Sequence, residues 1–119
     1  MSREPRWRSK HLSTSNVHVP GLPGLYVIRQ TKSFLGLPLD SRVLYVGRSL
    51  NLRRRLGGHS HLNELNPAVA RHLKQDRRNV NVWYTTDVST ANLDAYEKRL
   101  IKALEPHYNR QRYRHTEPK

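Results

Sequence analysis

The 119-residue sequence contains no cysteine, few acidic residues and no long hydrophobic run. Without cysteine, the chain has neither a disulfide framework nor a thiolate metal site. No apolar stretch approaches the roughly 18 residues that indicate a membrane-spanning helix. The N-terminal stretch "MSREPRWRSKH" also lacks an apolar signal core. We therefore expect a cytoplasmic protein that does not enter a membrane.

Positive charge is what the sequence has in excess. Lys and Arg number 22 against 9 Asp and Glu, so the net charge is +13 and the pI is about 10.9. Such an excess repels itself unless a polyanion is bound, and nucleic acid is the polyanion that this charge best suits. A basic protein with a structural role on RNA would have the same composition, so charge indicates the partner class without indicating an activity.

The charge is spread along the whole chain. Residues 1–18 and residues 110–119 hold four cations each, and 14 cations against 7 anions remain in residues 19–109. These numbers predict a basic N-terminal arm over 1–18, a domain over 19–109 and a basic C-terminal tail over 110–119. The two ends could contact phosphates, or they could serve only as solubilising tails.

Three segments have the composition of β-strands bounded by turn residues. They are "GLYVIRQ" at 24–30, "RVLYVG" at 42–47 and "VNVWYTTD" at 80–87. The segment 32–41 contains Gly36 and Pro38, so it is predicted to be a long loop. Short strands joined in this way favour antiparallel pairing.

Capping residues and apolar periodicity predict three helices. They are one from Arg48 or Ser49 to about Leu56, ended by Gly57 and Gly58; one over 67–76, capped by Asn66; and one over 91–104, capped by Ser89 or Thr90 and ended before Pro106. The order β-β-α-α-β-α predicts a fold of the α/β (α+β) class. It would have a small, mostly antiparallel three-stranded sheet flanked by helices.

A carboxylate interrupts the apolar stripe of the last predicted helix. Glu97 lies within a stripe whose other members have helical spacing: Leu93, Tyr96, Leu100, Ile101 and Leu104. A carboxylate on a packing face is unfavourable unless it is paired or binds a cation. Two interpretations stay open. Glu97 flanks the stripe and pairs with an arginine, or it holds a hard divalent ion whose other ligands are water and substrate phosphate.

Arginines follow the second predicted strand. Leu52 and Leu56 are four residues apart and should face the core, so Arg55 borders that buried face. Arg53 and Arg54 point elsewhere, to solvent or to a phosphate backbone. A guanidinium held near the sheet can bind a phosphate with two hydrogen bonds. The alternative is that Arg55 is an ordinary charge on the helix surface.

Tyr26 and Tyr45 occupy the first two predicted strands, each before a valine. Strand tyrosines are commonly amphipathic core residues, but these two could also direct both hydroxyls to one place. Gly47 follows the second strand, and we expect it to allow the chain a sharp exit towards the arginines.

The residues of these segments, taken together, resemble a known family. "GLY" at 24–26, "YVG" at 45–47, the continuing "RSLNLRRRLGGH", Glu97 and the "EPHYN" that ends at Asn109 are similar to the motifs of the GIY-YIG nucleases. The resemblance extends from about Pro20 to Asn109. The segment between the two tripeptides is longer than is usual in the family.

The resemblance implies a metal-dependent DNA endonuclease that hydrolyses phosphodiester bonds. It implies Tyr26 as general base, Arg55 as phosphate clamp and Glu97 as the ligand of Mg²⁺ or Mn²⁺. Tyr45 would orient the water or the phosphate, and Asn109 would fix the site through hydrogen bonds. His59 lies where several members carry a histidine, and it could assist.

Nucleic acid is the expected partner, and the resemblance implies DNA. We expect further contacts to it from Arg48, Asn51, Arg53 and Arg54. A homo-oligomer or a protein partner stays open, as does the form of the substrate. Two alternatives remain for the function itself, a binding module without catalysis and a basic RNA-associated protein.

Overall fold

The computed structural model describes residues 4–11, 18–56, 67–76 and 79–109. In chain order the elements are β1 (Arg8–His11), β2 (Gly24–Phe34), β3 (Leu37–Ser49), α1 (Leu52–Arg55), α2 (Pro67–Gln75), β4 (Val80–Thr85) and α3 (Leu93–Leu104). The strands form one antiparallel sheet in the order β1-β4-β2-β3. The predicted class, a mixed fold with an antiparallel sheet and flanking helices, is confirmed. None of the helices in the described ranges is long and apolar enough to cross a membrane.

The sheet has four strands in the described residues, and the expected number of three was wrong. The additional strand, β1, comes from the segment assigned to a basic arm, and it pairs with β4 from Arg8–Tyr84 to His11–Asn81. Its sequence, "RSKH", shows no apolar alternation, and three of its four residues are exposed. Only the open edge of β4 makes this stretch a strand. Residues 1–3, 12–17 and the expected tail 110–119 lie outside the described residues.

The expected long loop over 32–41 is instead the end of a β-hairpin. β2 and β3 are joined by Leu35 and Gly36 alone, with φ of 53° and 81°. Positive φ at both central residues is what a two-residue type I′ turn requires. Pro38 is compatible with this pairing because β3 lies at the sheet edge. The tip of the hairpin exposes four large apolar side chains: Phe34, Leu35, Leu37 and Leu39.

The two faces of the sheet pack against different helices. On one face, a large core beneath α1 and α2 contains Tyr26, Ile28 and their neighbours on β3 and β4. On the other, Leu25 packs with Trp7 and with Leu93 of α3. Because side chains alternate along a strand, neighbouring residues of β2 serve the two cores in turn.

A β-bulge in β3 changes this alternation next to Tyr45, the tyrosine of the second tripeptide. Val43 pairs with Arg29 and Tyr45 pairs with Ile28, so Leu44 is an extra residue without a partner of its own. Both Leu44 and Tyr45 therefore lie in the core beneath α1 and α2. The bulge thus keeps Tyr45 on the same face as Tyr26.

The helices follow the expectations except at the start of α1. This helix begins at Leu52, capped by Asn51, whose side chain accepts a hydrogen bond from the backbone N–H of Arg54 at 3.1 Å. The expected start at Arg48 or Ser49 was wrong because β3 continues through Ser49. α2 and α3 lie where they were predicted, and a 3₁₀ turn (Thr90–Asn92) precedes α3. The expected end at Gly57 and Gly58 and the expected cap Asn66 are outside the described residues.

Candidate active site

Tyr26 and Gly47 are direct partners on neighbouring strands. A Cβ atom added at Gly47 would lie 2.5 Å from Cζ and 2.6 Å from Oη of Tyr26, which is closer than non-bonded atoms can approach. Gly47 lies inside β3, and its φ is not positive. The expectation that Gly47 gives the chain a sharp exit was therefore wrong. Its lack of a side chain makes room for the tyrosine ring.

Arg55 joins Tyr26 from the last position of α1. Its Nε donates a hydrogen bond to Oη of Tyr26 at 2.9 Å, while the guanidinium carbon lies 5.7 Å from the ring centroid. Since the bond is made at the hydroxyl, we attribute the contact to hydrogen bonding and not to stacking on the ring face. Tyr26 is fully buried and Arg55 is partly exposed, so the arginine lies between the hydroxyl and the surface.

Tyr45 completes a group of side chains on this face. Its ring centroid lies 6.1 Å from that of Tyr26, with the ring planes tilted by 43°, a separation at which aromatic rings attract each other. Tyr45 is also buried. The structure thus brings together Tyr26, Tyr45 and Arg55, which are spread over 29 positions of the sequence.

The side-chain amide of Asn109 forms hydrogen bonds with the backbone of β3, the outermost described strand of the sheet. Its Oδ1 accepts a hydrogen bond from the backbone N–H of Val46 at 2.7 Å, and its Nδ2 donates one to the Val46 carbonyl at 2.9 Å. Among the described residues no strand lies beyond β3, so this buried amide takes the place of a neighbouring strand for one residue. The two bonds hold β3 next to Tyr45.

Glu97 reaches β3 from the opposite face. Its Oε1 lies 3.5 Å from Nε of Arg48, and the Glu97 side chain is only 14% exposed. Arg48 also contacts Asp94, with 3.2 Å between Nη1 and Oδ1. Because Arg48 pairs with Leu25, these groups lie on the side of α3, while Tyr26 and Arg55 lie on the side of α1. Tyr26 thus packs on Gly47 from one face of the sheet, and Glu97 contacts the next residue of β3, Arg48, from the other face.

The single carboxylate of Glu97 is compatible with one common mode of Mg²⁺ binding. No three acidic or histidine side chains gather into a metal-binding cluster in the part of the chain that the structure describes. Mg²⁺ keeps most of its water and is commonly held by one or two carboxylates together with substrate phosphate. One nearly buried carboxylate beside a basic site is compatible with that mode. The ion pair of Glu97 with Arg48 was the other interpretation left open, and the structure contains it.

Three of the residues expected to contact nucleic acid make contacts within the protein, and the first is Arg48, which contacts Asp94 and Glu97. Asn51 caps α1. Arg53 donates from Nε to the Val19 carbonyl at 2.8 Å, which ties the segment before β2 to the helix. Arg54 is exposed. His59 lies outside the described residues, so its position relative to these groups stays a prediction.

A second polar network supports the site and was missed by the sequence reasoning. His72 of α2 bonds Oη of Tyr108 through Nδ1 at 2.8 Å and Oε1 of the buried Gln30 through Nε2 at 2.9 Å. Burial and the nearby Arg42 lower the pKa of His72. Tyr108 precedes Asn109, so the network anchors the residue that holds β3. The three side chains come from distant segments, and no spacing in the sequence signals their contact.

Comparison with known proteins identifies the family. The family model described as "GIY-YIG catalytic domain" matches residues 22–111. The chain belongs to the GIY-YIG family. The resemblance seen in the sequence is thus confirmed. The matched range includes the two tyrosines, Arg55, Glu97 and Asn109, whereas β1 lies before it.

Similar proteins include UvrABC system protein C from Neisseria gonorrhoeae, 35% identical over 92 residues, and the protein of that name from Aromatoleum aromaticum, 35% identical over 91 residues. The alignments cover 77% and 76% of this chain and 13% of each relative. The chain therefore spans only a small part of these relatives. A similar solved structure is the N-terminal GIY-YIG endonuclease domain of UvrC from Thermotoga maritima bound to magnesium. It has 24% identity and a TM-score of 0.49 over 78% of this chain and 89% of that one.

Proposed function

We propose that this protein is a DNA endonuclease that depends on a divalent metal ion. The observation that carries the proposal is the hydrogen bond from Arg55 to the hydroxyl of Tyr26. The bond satisfies a fully buried hydroxyl with a cationic side chain that reaches the surface. In a nuclease of this family, the same pair supplies a base for water and a cation for phosphate. The net charge of +13 suits a polyanionic substrate.

Tyr26 is proposed as the general base. A guanidinium that donates to a phenol oxygen favours the phenolate form, and a phenolate can take a proton from an attacking water. Because the hydroxyl is buried behind Arg55, the substrate must displace that side chain. Movement of Arg55 onto the incoming phosphate would open the hydroxyl to water. The five N–H donors of a guanidinium allow contact with a phosphate oxygen in two places.

Glu97 is the residue that would hold Mg²⁺ or Mn²⁺. The bound cation would stabilise the charge that develops on the phosphate and on the leaving oxygen. Arg48 would keep its contact with Asp94 when the Glu97 carboxylate turns to the metal. We propose that the scissile phosphate lies across β3 at Gly47 and Arg48. Tyr26 contacts the first of these residues and Glu97 contacts the second.

The remaining residues are proposed to orient and bind the substrate. Tyr45 would orient the water or the phosphate, Asn109 would keep β3 in place, and His59 would assist with a proton or a phosphate contact. Arg54, exposed at the surface of α1, is proposed to contact the phosphate backbone.

The experiment is a nicking assay on supercoiled plasmid DNA with Mg²⁺, Mn²⁺ or EDTA. We expect nicking with either metal and none in EDTA. Glu97→Gln should abolish nicking while DNA binding, measured separately, is retained. Asp94→Asn is the matched control, because it removes the other carboxylate that contacts Arg48, and it should retain most activity. Nicking by Glu97→Gln at the normal rate would remove Glu97 from the site. Binding without nicking in any metal would favour the non-catalytic module.

A further inference from the structure

A single row of residues crosses all four strands at the candidate site. Arg8 of β1 pairs with Tyr84 of β4, Tyr84 pairs with Tyr26 of β2, and Tyr26 pairs with Gly47 of β3. Directly paired residues direct their side chains to the same face of a sheet. Arg8 therefore lies on the face of Tyr26, two strands away. At about 4.8 Å between strands, the two Cα atoms are roughly 10 Å apart.

A small cavity opens beside Arg8. It has a volume of about 270 Å³ and is lined by Arg6, Arg8, Pro20, Tyr84, Thr85, Thr86 and Asp87. The negative charge of Asp87 in this lining is already paired with Arg6. Oδ2 of Asp87 accepts a hydrogen bond from the backbone N–H of Arg6 at 2.9 Å and lies 3.8 Å from Nε of the same residue. Arg8 is exposed and has no ion pair with any carboxylate of the described residues.

The neighbouring cation of β1 is less suited to an anion. Lys10 lies on the same face as Arg8, two residues further along the strand, and its ammonium donates to the His11 carbonyl at 3.2 Å. Burial lowers the pKa of Lys10, which means that its surroundings disfavour the charged form. Arg8 is exposed at the surface and carries the planar guanidinium that binds phosphate oxygens in pairs.

We propose that Arg8 and the adjacent cavity bind a backbone phosphate of the DNA strand that crosses the active site. At roughly 10 Å from the Cα atom of Tyr26, Arg8 is placed to contact a phosphate on one side of the scissile one. The inference rests on the proposed function for the identity of the ligand. It extends the substrate surface to β1, which precedes the residues matched by the family. No residue of β1 belongs to either hydrophobic core. Contact with DNA would give this strand a function.

The test measures binding of a fluorescently labelled DNA duplex in EDTA, so that it needs no cleavage. Arg8→Gln should weaken binding about three- to tenfold, the scale of one partly exposed charge-assisted contact. It should also reduce the slope of log affinity against log salt concentration by about 0.7–0.9. Lys102→Gln removes the same charge from an exposed position of α3, on the other side of the sheet, and should change the slope by much less.

A set of duplexes with one methylphosphonate each locates the contact. Neutralising the phosphate that Arg8 contacts should weaken DNA binding by the unmodified protein. It should not lower the affinity of Arg8→Gln any further, because both changes remove the same interaction. Thermal unfolding checks that both variants are folded. Equal salt slopes for Arg8→Gln and Lys102→Gln, or equal sensitivity of the normal protein and Arg8→Gln at every methylphosphonate position, would overturn the proposal. A protein that never cleaves but shows the Arg8 signature would contradict only the proposed function.

Discussion

The ring of Tyr26 packs on the Cα atom of Gly47, its partner across the hairpin. The first residue ends the tripeptide "GLY" and the second ends the tripeptide "YVG". The two motifs are therefore one packing unit, in which the glycine of the second accommodates the tyrosine of the first. Arg55 then fixes the hydroxyl of this tyrosine from the neighbouring helix.

Gly47→Ala tests this packing. The new methyl group would meet the Tyr26 ring at 2.5 Å, so either β3 or the ring must move. Overpacking of this kind costs about 1–3 kcal/mol of unfolding free energy. We expect that loss in urea unfolding, together with loss of cleavage. Gly21→Ala is the control, because its added carbon would lie 3.4 Å from Asn51 Oδ1, near ordinary contact. Equal effects of the two variants would contradict the packing argument.

Arg55→Ala should impair the chemical step more than either neighbouring arginine does. Removal of one donor to a transition state costs roughly 10²-fold or more in rate, and we expect that loss in single-turnover cleavage at saturating enzyme. Arg54→Ala changes the adjacent and more exposed arginine of the same helix. It should weaken binding and recover at high enzyme concentration. Arg53→Ala should additionally lower stability, because its bond to Val19 is lost. Equal rates for the three variants would mean that the run is only an electrostatic patch.

Asn109→Ala should destabilise the sheet edge. The substitution leaves the backbone groups of Val46 without the two bonds that the amide makes. A buried polar group without a partner costs about 1–3 kcal/mol, which urea unfolding would detect. Asn92→Ala is a suitable comparison, since the Asn92 side chain is exposed and makes no capping bond. A loss no larger than that of Asn92→Ala would show that Asn109 does not hold β3.

His72 should make stability depend on pH at mildly acidic values. Burial and Arg42 hold the pKa of His72 below its usual value, with His107 adding to the effect and Asp76 opposing it. Below about pH 6.5 the unfolded chain binds a proton at this residue before the folded chain does, so stability falls as the pH falls through the folded pKa. His72→Gln should reduce this slope in unfolding free energies measured from neutral to mildly acidic pH. A slope that is the same in both proteins would show that His72 does not titrate differently on folding.

The family, the fold class and the approximate positions of β2, α2, β4 and α3 could be predicted from the sequence. These features depend on local information: apolar periodicity, capping residues and short motifs report on a segment without reference to its neighbours. The stripe of α3 singled out Glu97 in this way, and the spacing of Leu52 and Leu56 placed Arg55 on the inner side of α1.

The contacts between distant segments could not be predicted and are visible in the folded structure alone. The strand β1 has no pattern of its own and exists because β4 offers an open edge. The role of Gly47 depends on a ring 21 positions earlier, and that of Asn109 on a backbone 63 positions earlier. Such contacts arise when folding brings complementary surfaces together, and a single segment carries no record of its partner. For that reason the residues of the candidate site could be named from the sequence, whereas the cross-strand packing that holds them could not.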